Sequence, residues 1–153
     1  MLNRDEDILQ AAETWQKQGH GVALATVVET WGSAPRPAGS SLVINDDGTF
    51  LGSVSGGCVE GAVYERCLEV LAGAAPRVDR FAYSDADAFA VGLTCGGTID
   101  VLVRAVTPGS AAAADLELLA AREAAAIPTG FALVTAGPEL GVGRVVSSDV
   151  PAP

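Results

Sequence analysis

The segment GVALATVVET, residues 21–30, is a nearly continuous run of apolar and β-branched side chains. Such a run suits a buried strand, because a strand with one face in water alternates apolar with polar residues. An amphipathic segment with helical spacing precedes it at residues 4–18. The loop WGSAPRPAG follows it at 31–39, where two prolines and two glycines exclude helix and strand. The chain therefore has to supply enough structure around this strand to bury it.

The remaining sequence alternates between strand and helix patterns. The predicted elements are, in chain order, a hairpin across DDG (46–48), a helix at 58–72, a strand at 77–84, a short helical turn from 84, a strand at 98–106, a helix at about 111–125 and a strand pair across GPELGV. The strand at 98–106 alternates apolar with polar residues, namely Ile99, Val101 and Val103 with Asp100 and Arg104. These elements predict an α+β fold, a single compact domain whose mixed or mainly antiparallel sheet has helices packed on it.

Composition excludes several classes of partner. The chain has 153 residues, 49% of them hydrophobic, and a net charge of −10. It has no block rich in Lys or Arg, so nucleic acid is not an expected partner. No apolar run approaches the length of a membrane span and no signal-peptide pattern begins the chain, which predicts a cytoplasmic protein. Three cysteines, an odd number, favour reduced thiols over a disulfide framework.

Three loops combine glycine with polar or reactive residues: GSAPRPAGSS (32–41), GSVSGGCVEG (52–61) and GLTCGGT (92–98). A single loop of this kind is more often an ordinary turn, so the functional interpretation depends on having three. None of them follows the phosphate-loop pattern or the dinucleotide-binding pattern, and a nucleotide fold is not supported.

The cysteines have different expected environments. Cys67 is in phase with the apolar stripe of its predicted helix, which favours a small core side chain. Cys58 stands at the predicted helix start, where the helix dipole and unpaired N–H groups lower the pKa of a thiol. Gly56 and Gly57 would let an oxyanion approach the same N–H groups. Cys95 has the mirrored setting, with its glycine pair after it.

Two charged residues and one histidine complete the candidates. Arg36 is fixed between two prolines and offers its guanidinium to phosphate or carboxylate, although a plain surface arginine fits as well. Glu60 caps its own helix turn or contacts a ligand, and capping is the favoured interpretation. His20, the only histidine, is expected at a helix C-terminus and not in catalysis. Cysteine and histidine are too few and too widely spaced for a zinc ribbon or a four-cysteine iron–sulfur site.

Three blocks in succession, ETWGSAPRPAGSSLVI, GSVSGGCVEGAV and GLTCGGTIDVLV, resemble the motifs of the XdhC/CoxI family. The family comprises accessory factors of molybdenum hydroxylases such as xanthine dehydrogenase and carbon monoxide dehydrogenase, and the resemblance spans about residues 21–105. It implies a maturation factor without substrate turnover, which binds molybdenum cofactor (molybdopterin) transiently, assists its sulfuration and delivers it. The implied partners are the molybdenum hydroxylase apo-enzyme, a cysteine desulfurase and a second copy of the chain.

The resemblance also implies which residues meet the cofactor. Cys58 is the best candidate for a position near molybdenum, since a soft thiolate suits that metal. Gly56 and Gly57 would hold a phosphate or oxo group, and Arg36 would assist with its charge. The full expected cofactor-binding set is Ser33, Arg36, Ser55, Gly56, Gly57, Cys58, Glu60, Thr94, Cys95, Gly96 and Gly97.

Longer members of the family continue into a C-terminal Rossmann-like domain, for which this sequence has no fingerprint. Residues 1–153 are therefore expected to form the N-terminal motif domain alone, and a separate Rossmann-domain chain is a further partner that the resemblance suggests. Two other functions stay open. In one, Cys58 carries sulfur as a persulfide in a transfer reaction. In the other, the domain is a docking or oligomerisation module and its glycine loops are only turns.

Overall fold

The segment GVALATVVET forms the middle strand of a five-stranded sheet in the computed structural model of the chain, which describes residues 5–32, 36–54, 59–82 and 97–146. The strands of this sheet are β1 (Val22–Trp31), β2 (Ser41–Asn45), β3 (Phe50–Gly52), β4 (Arg77–Ala82) and β5 (Thr98–Val106). Their order is β3-β2-β1-β5-β4, and every neighbouring pair is antiparallel.

Three helices and a second hairpin complete the described fold. They are α1 (Asp5–Lys17), α2 (Glu60–Leu71), α3 (Ala111–Ala124), β6 (Gly130–Leu133) and β7 (Gly143–Val146). The predicted α+β class, with helices packed on a mainly antiparallel sheet, is confirmed. The helical turn predicted from residue 84 lies outside the described residues. None of the described helices combines the length and the apolar character that a membrane crossing requires.

Helices cover both faces of the sheet, which explains why β1 does not alternate apolar with polar side chains. On one face, Ala23, Ala25 and Val27 pack against α2. On the other face, Val22 and Leu24 pack against α1 and α3. Each face thus has its own apolar core, and the two cores share the backbone of β1.

Cys67 belongs to the core between α2 and the sheet, as its helical phase predicts. Its side chain is 0% exposed and lies among the valines of α2, β1 and β5. Burial raises the pKa of this thiol to about 12, because an apolar environment disfavours the thiolate.

Strand β5 keeps the predicted alternation, but its polar positions do not all face water. Ile99, Val101 and Val103 belong to the core beside α2. Arg104 is only 8% exposed, because α1, α3 and the β6–β7 hairpin cover the opposite face. An arginine that the sequence pattern groups with the polar residues is therefore a buried one.

Gly52, where β3 ends, has no room for a side chain. Its φ is +90°, and an added Cβ would lie 2.2 Å from the carbonyl oxygen of Ser41. We expect Gly52→Ala to lower the free energy of unfolding by about 2–4 kcal/mol, from backbone strain and overpacking together.

Gly61 provides the matched control, since it lies in the first turn of α2 and an added Cβ meets nothing within 4 Å. Gly61→Ala should raise the free energy of unfolding by about 0.5–1 kcal/mol, because alanine loses less conformational entropy in a helix. Urea unfolding of both variants measures the difference. Equal stabilities would contradict the close approach of β3 to Ser41.

Candidate functional site

The strand directions bring the flanks of the three glycine-rich motifs to the same end of the sheet. Strand β1 ends at Trp31, which pairs with Thr98 at the start of β5. Strand β3 runs in the direction of β1 and ends at Gly52, which pairs with Leu42 near the start of β2. The chain thus leaves β1 and β3, and enters β5, in the direction of this end, which we call the motif end. Because Leu42 also pairs with Ala25, β3 ends six residues short of the end of β1 at Trp31.

Helix α2 also begins at the motif end. Leu71, its last residue, packs against Gly21 just before β1, so the helix runs antiparallel to β1 and its N-terminus points to the motif end. Val59, the N-cap, is apolar and contributes no side-chain hydrogen bond to the helix. A helix start carries partial positive charge and backbone N–H donors, which together favour an anion.

Glu60 connects the start of α2 to the end of the β3 segment. Its Oε1 accepts a hydrogen bond from the Ser53 hydroxyl at 2.8 Å and another from the Val54 backbone N–H at 2.9 Å. The carboxylate therefore joins the two ends of the second motif. Both donors lie outside α2, so these bonds differ from the predicted cap of its own helix turn, and contact between Glu60 and a ligand stays a prediction.

Arg36 lies in the loop between β1 and β2, which folds back along β1. The Gly39 N–H donates to the Val27 carbonyl at 2.7 Å, and the Val27 N–H donates to the Ser40 carbonyl at 2.9 Å. Arg36 is half-buried, and its buried Nε has no hydrogen-bond partner among the residues that the structure describes. A buried guanidinium N–H without an acceptor is costly, so an external anion would satisfy it.

A stacked pair at the motif end was not found by sequence reasoning. The Arg80 guanidinium carbon lies 4.4 Å from the ring centroid of Trp31, and Arg80 Nε lies 2.9 Å from Asp100 Oδ1. Trp31 remains 40% exposed. The contact depends on the register that pairs Arg80 with Asp100 across β4 and β5, which no local sequence signal specifies.

The structure describes three of the residues expected to bind cofactor. Arg36 lies in the loop that follows β1, Glu60 is the first residue of α2, and Gly97 is buried immediately before β5. The others lie outside the described residues, and their roles stay predictions: Ser33, Ser55, Gly56, Gly57, Cys58, Thr94, Cys95 and Gly96.

His20 lies at the opposite end of the sheet, just before β1. Its Nδ1 is 2.6 Å from Asp46 Oδ1 and 3.7 Å from Asp47 Oδ2. The hydrogen bond to His20, followed by one from the Gly21 backbone N–H, lowers the pKa of Asp46. These contacts connect the end of the α1 segment to the β2–β3 turn, away from the motif end.

The Glu60 contacts generate a stability prediction. We expect Glu60→Ala to lower the free energy of unfolding by about 1–3 kcal/mol, because it leaves the Val54 N–H and the Ser53 hydroxyl without this acceptor. Ser53→Ala alone should cost about 0.5–1.5 kcal/mol. In the Glu60→Ala background, Ser53→Ala should cost clearly less, as measured by a double-mutant cycle in urea. Additive effects of the two substitutions would show that the hydrogen bond contributes nothing.

Part of the chain is similar in sequence to known proteins. Residues 15–82 match the family described as XdhC and CoxI family, a stretch that contains the first two motifs and ends before the third. The chain is 39% identical over 92 residues to the molybdenum cofactor insertion chaperone PaoD of Escherichia coli, an alignment that covers 60% of this chain and 29% of PaoD. It is 49% identical over 43 residues to a probable xanthine dehydrogenase subunit of Bacillus subtilis, which covers 28% of this chain and 13% of that protein.

A solved structure has the same fold. The crystal structure of a xanthine dehydrogenase from Bacillus halodurans superposes with a TM-score of 0.71 and 23% identity, over 90% of this chain and 41% of that one. This chain therefore spans less than half of each of these relatives. Residues 15–82 match the XdhC and CoxI family, and the resemblance that the motifs predict is confirmed over this stretch.

Proposed function

We propose that this chain binds molybdenum cofactor and assists its insertion into a molybdenum hydroxylase of the xanthine dehydrogenase type. The observation that carries the proposal is the convergence of the three motif flanks and the α2 N-terminus at one end of the sheet. The family match and the likeness to a named cofactor insertion chaperone support the identity of the cargo.

The described residues suit the anionic part of such a cargo. Molybdenum cofactor is a pterin with a phosphate group and a dithiolene-bound metal. The N-terminus of α2 offers backbone N–H groups and a positive dipole end to the phosphate. Arg36 adds a guanidinium with an unsatisfied Nε. These local donors would hold an anion although the whole chain has a net charge of −10.

The metal end of the cargo is assigned to Cys58, since a thiolate is the soft ligand that suits molybdenum. Sulfuration of the cofactor, transient binding, a desulfurase, a separate Rossmann-domain chain and self-association belong to the same proposal. Each of them depends on the family resemblance and not on a contact among the described residues.

A titration with molybdenum cofactor, followed by pterin fluorescence, tests the function and the thiol separately. Cys58→Ala should weaken binding by about tenfold or more, the usual effect of losing one charged contact. Cys67→Ala is the matched control, because Cys67 is buried in the core beneath α2. It should bind as the wild type does while losing about 1–2 kcal/mol of unfolding free energy.

The two results have different meanings. Equal affinity of the wild type and Cys58→Ala would contradict the thiol contact alone. A folded wild-type chain that binds no cofactor would contradict the proposed function of this chain.

Thiol reactivity tests whether Cys58 is able to carry sulfur. Because burial raises the pKa of Cys67 to about 12, this thiol should stay unlabelled by iodoacetamide at pH 8 in the native protein. Cys58, if the helix start lowers its pKa, should react faster than a free peptide thiol. Peptide mass spectrometry after timed labelling measures each cysteine separately. Slow labelling of Cys58 would argue against sulfur transfer, and rapid labelling of Cys67 would contradict its place in the core.

A further inference from the structure

A cavity of about 390 Å³ lies on the face of the sheet opposite α2, bounded by α1, α3 and the β6–β7 hairpin. Its walls are mostly apolar and include Leu9 of α1, Leu116 and Leu119 of α3, and Phe131 of β6. The volume falls within the range of about 300–1,000 Å³ that small-molecule sites occupy. The cavity is thus a shaped apolar space outside the motif end.

Arg104 lies in this apolar cavity as a buried cation. It stands on β5 opposite Leu24 of β1, and the side chains of both residues line the cavity. Its guanidinium carbon lies 5.2 Å from the ring centroid of Phe131. Its Nε is buried without a hydrogen-bond partner, and among the described residues no carboxylate lies within ion-pair distance of the side chain.

The surroundings of Arg104 do not compensate its charge. Burial lowers the pKa of Arg104, and Asp115 of α3 opposes this from beyond ion-pair distance. Stacking on Phe131 stabilises one face of the guanidinium, while the N–H groups at its edge need acceptors. Buried arginines are normally paired, because desolvating an unpaired charge is strongly unfavourable. An anion in the cavity would supply the missing acceptor.

Two of the three hydroxyl-bearing residues that line the cavity lie on its sheet side, and the third is Thr129 just before β6. Thr26 Oγ1 and Ser41 Oγ, on the paired strands β1 and β2, are 3.3 Å apart and line the same space as Arg104. Ser41 Oγ also donates to the Gly39 carbonyl at 3.4 Å, so the Thr26 hydroxyl is the one able to donate to a second oxygen of an anion. The cavity therefore has a polar floor and apolar walls.

The position of Phe131 depends on a glycine in the neighbouring strand. A Cβ on Gly143 of β7 would lie 2.1 Å from Cζ of the Phe131 ring. Only glycine at this position lets the ring lie across the hairpin and stack on Arg104. The wall of the cavity is therefore part of the packed fold and not a chance arrangement of a surface side chain.

We propose that this cavity binds a small amphipathic anion, whose carboxylate or phosphate group pairs with Arg104 while its apolar body lies against the leucines and Phe131. The proposal does not rest on the proposed cofactor function, because the cavity lies on the other face of the sheet from α2, although Gly39 and Ser41 of the first motif contribute to its lining.

Isothermal titration calorimetry with three probes of one chain length tests the proposal: octanoate and octyl phosphate below their micelle concentrations, and octanol below its solubility limit. Octanoate or octyl phosphate should bind the wild-type chain at least tenfold more tightly than octanol, since only the anions pair with a buried guanidinium. The tighter of the two anions identifies the head group. Failure of both anions to bind, or equal binding of octanol, would overturn the proposal.

Substitutions of Arg104 test whether binding of the anion depends on the buried positive charge. Arg104→Met should weaken binding of the preferred anion at least tenfold, and Arg104→Lys should retain more of the affinity than Arg104→Met. Arg144→Met is the control for net charge, because Arg144 of β7 is exposed and does not line the cavity. It should bind as the wild type does. Wild-type affinity in a folded Arg104→Met chain would refute the role of Arg104.

Arg104→Met should also raise the midpoint of thermal unfolding without ligand, because it replaces an unpaired buried charge by an apolar side chain of similar length. This increase shows that the variant is folded, so lost binding cannot be ascribed to misfolding. A variant that unfolds at a lower temperature than the wild type would mean that Arg104 is satisfied within the protein, which contradicts the inference.

Discussion

The burial of β1 on both faces determines how the rest of the chain is arranged. Each face of this strand needs its own apolar layer, which α2 supplies on one side and α1 with α3 supply on the other. Its two neighbours in the sheet, β2 and β5, satisfy its backbone hydrogen bonds over most of its length. Two separate cores follow from this one strand, and each of the two proposed sites adjoins one of them.

The two proposed anion sites therefore lie at different places on the sheet. At the motif end, the N-terminus of α2 and the loop that carries Arg36 provide donors for an anion. On the other face, Arg104 and two hydroxyl groups form the floor of a cavity. The first glycine-rich motif reaches both regions, because Gly39 and Ser41, where its loop returns to β2, line the cavity. A ligand in the cavity would thus contact the same loop that carries Arg36.

Local sequence patterns were sufficient for the elements and for the core beside α2. The helical phase of Cys67 and the alternation in β5 depend only on residues near in sequence, and the structure confirms both.

The burial of Arg104 could not be predicted, because it depends on α1, α3 and a hairpin that cover the second face. The contact of Arg80 with Trp31 depends on the β4–β5 pairing and on the register shift between Val27 and Glu29 in β1. The order of the motifs predicted that the expected cofactor-binding residues lie near one another. The strand directions agree with this prediction for the motif flanks that the structure describes.

The two outer strands of the sheet have a consequence for self-association. Strand β3 has only three residues, and three of the six residues of the other outer strand, β4, are charged. Arg77 and Asp79 of β4 form an ion pair with each other, and Arg66 of α2 pairs with the same aspartate. Short strands and charged side chains at a sheet edge oppose the addition of a strand from another molecule, which is the usual beginning of β-aggregation. A chain that is 49% hydrophobic thus has, at both edges of its main sheet, described strands that oppose extension of the sheet by another molecule.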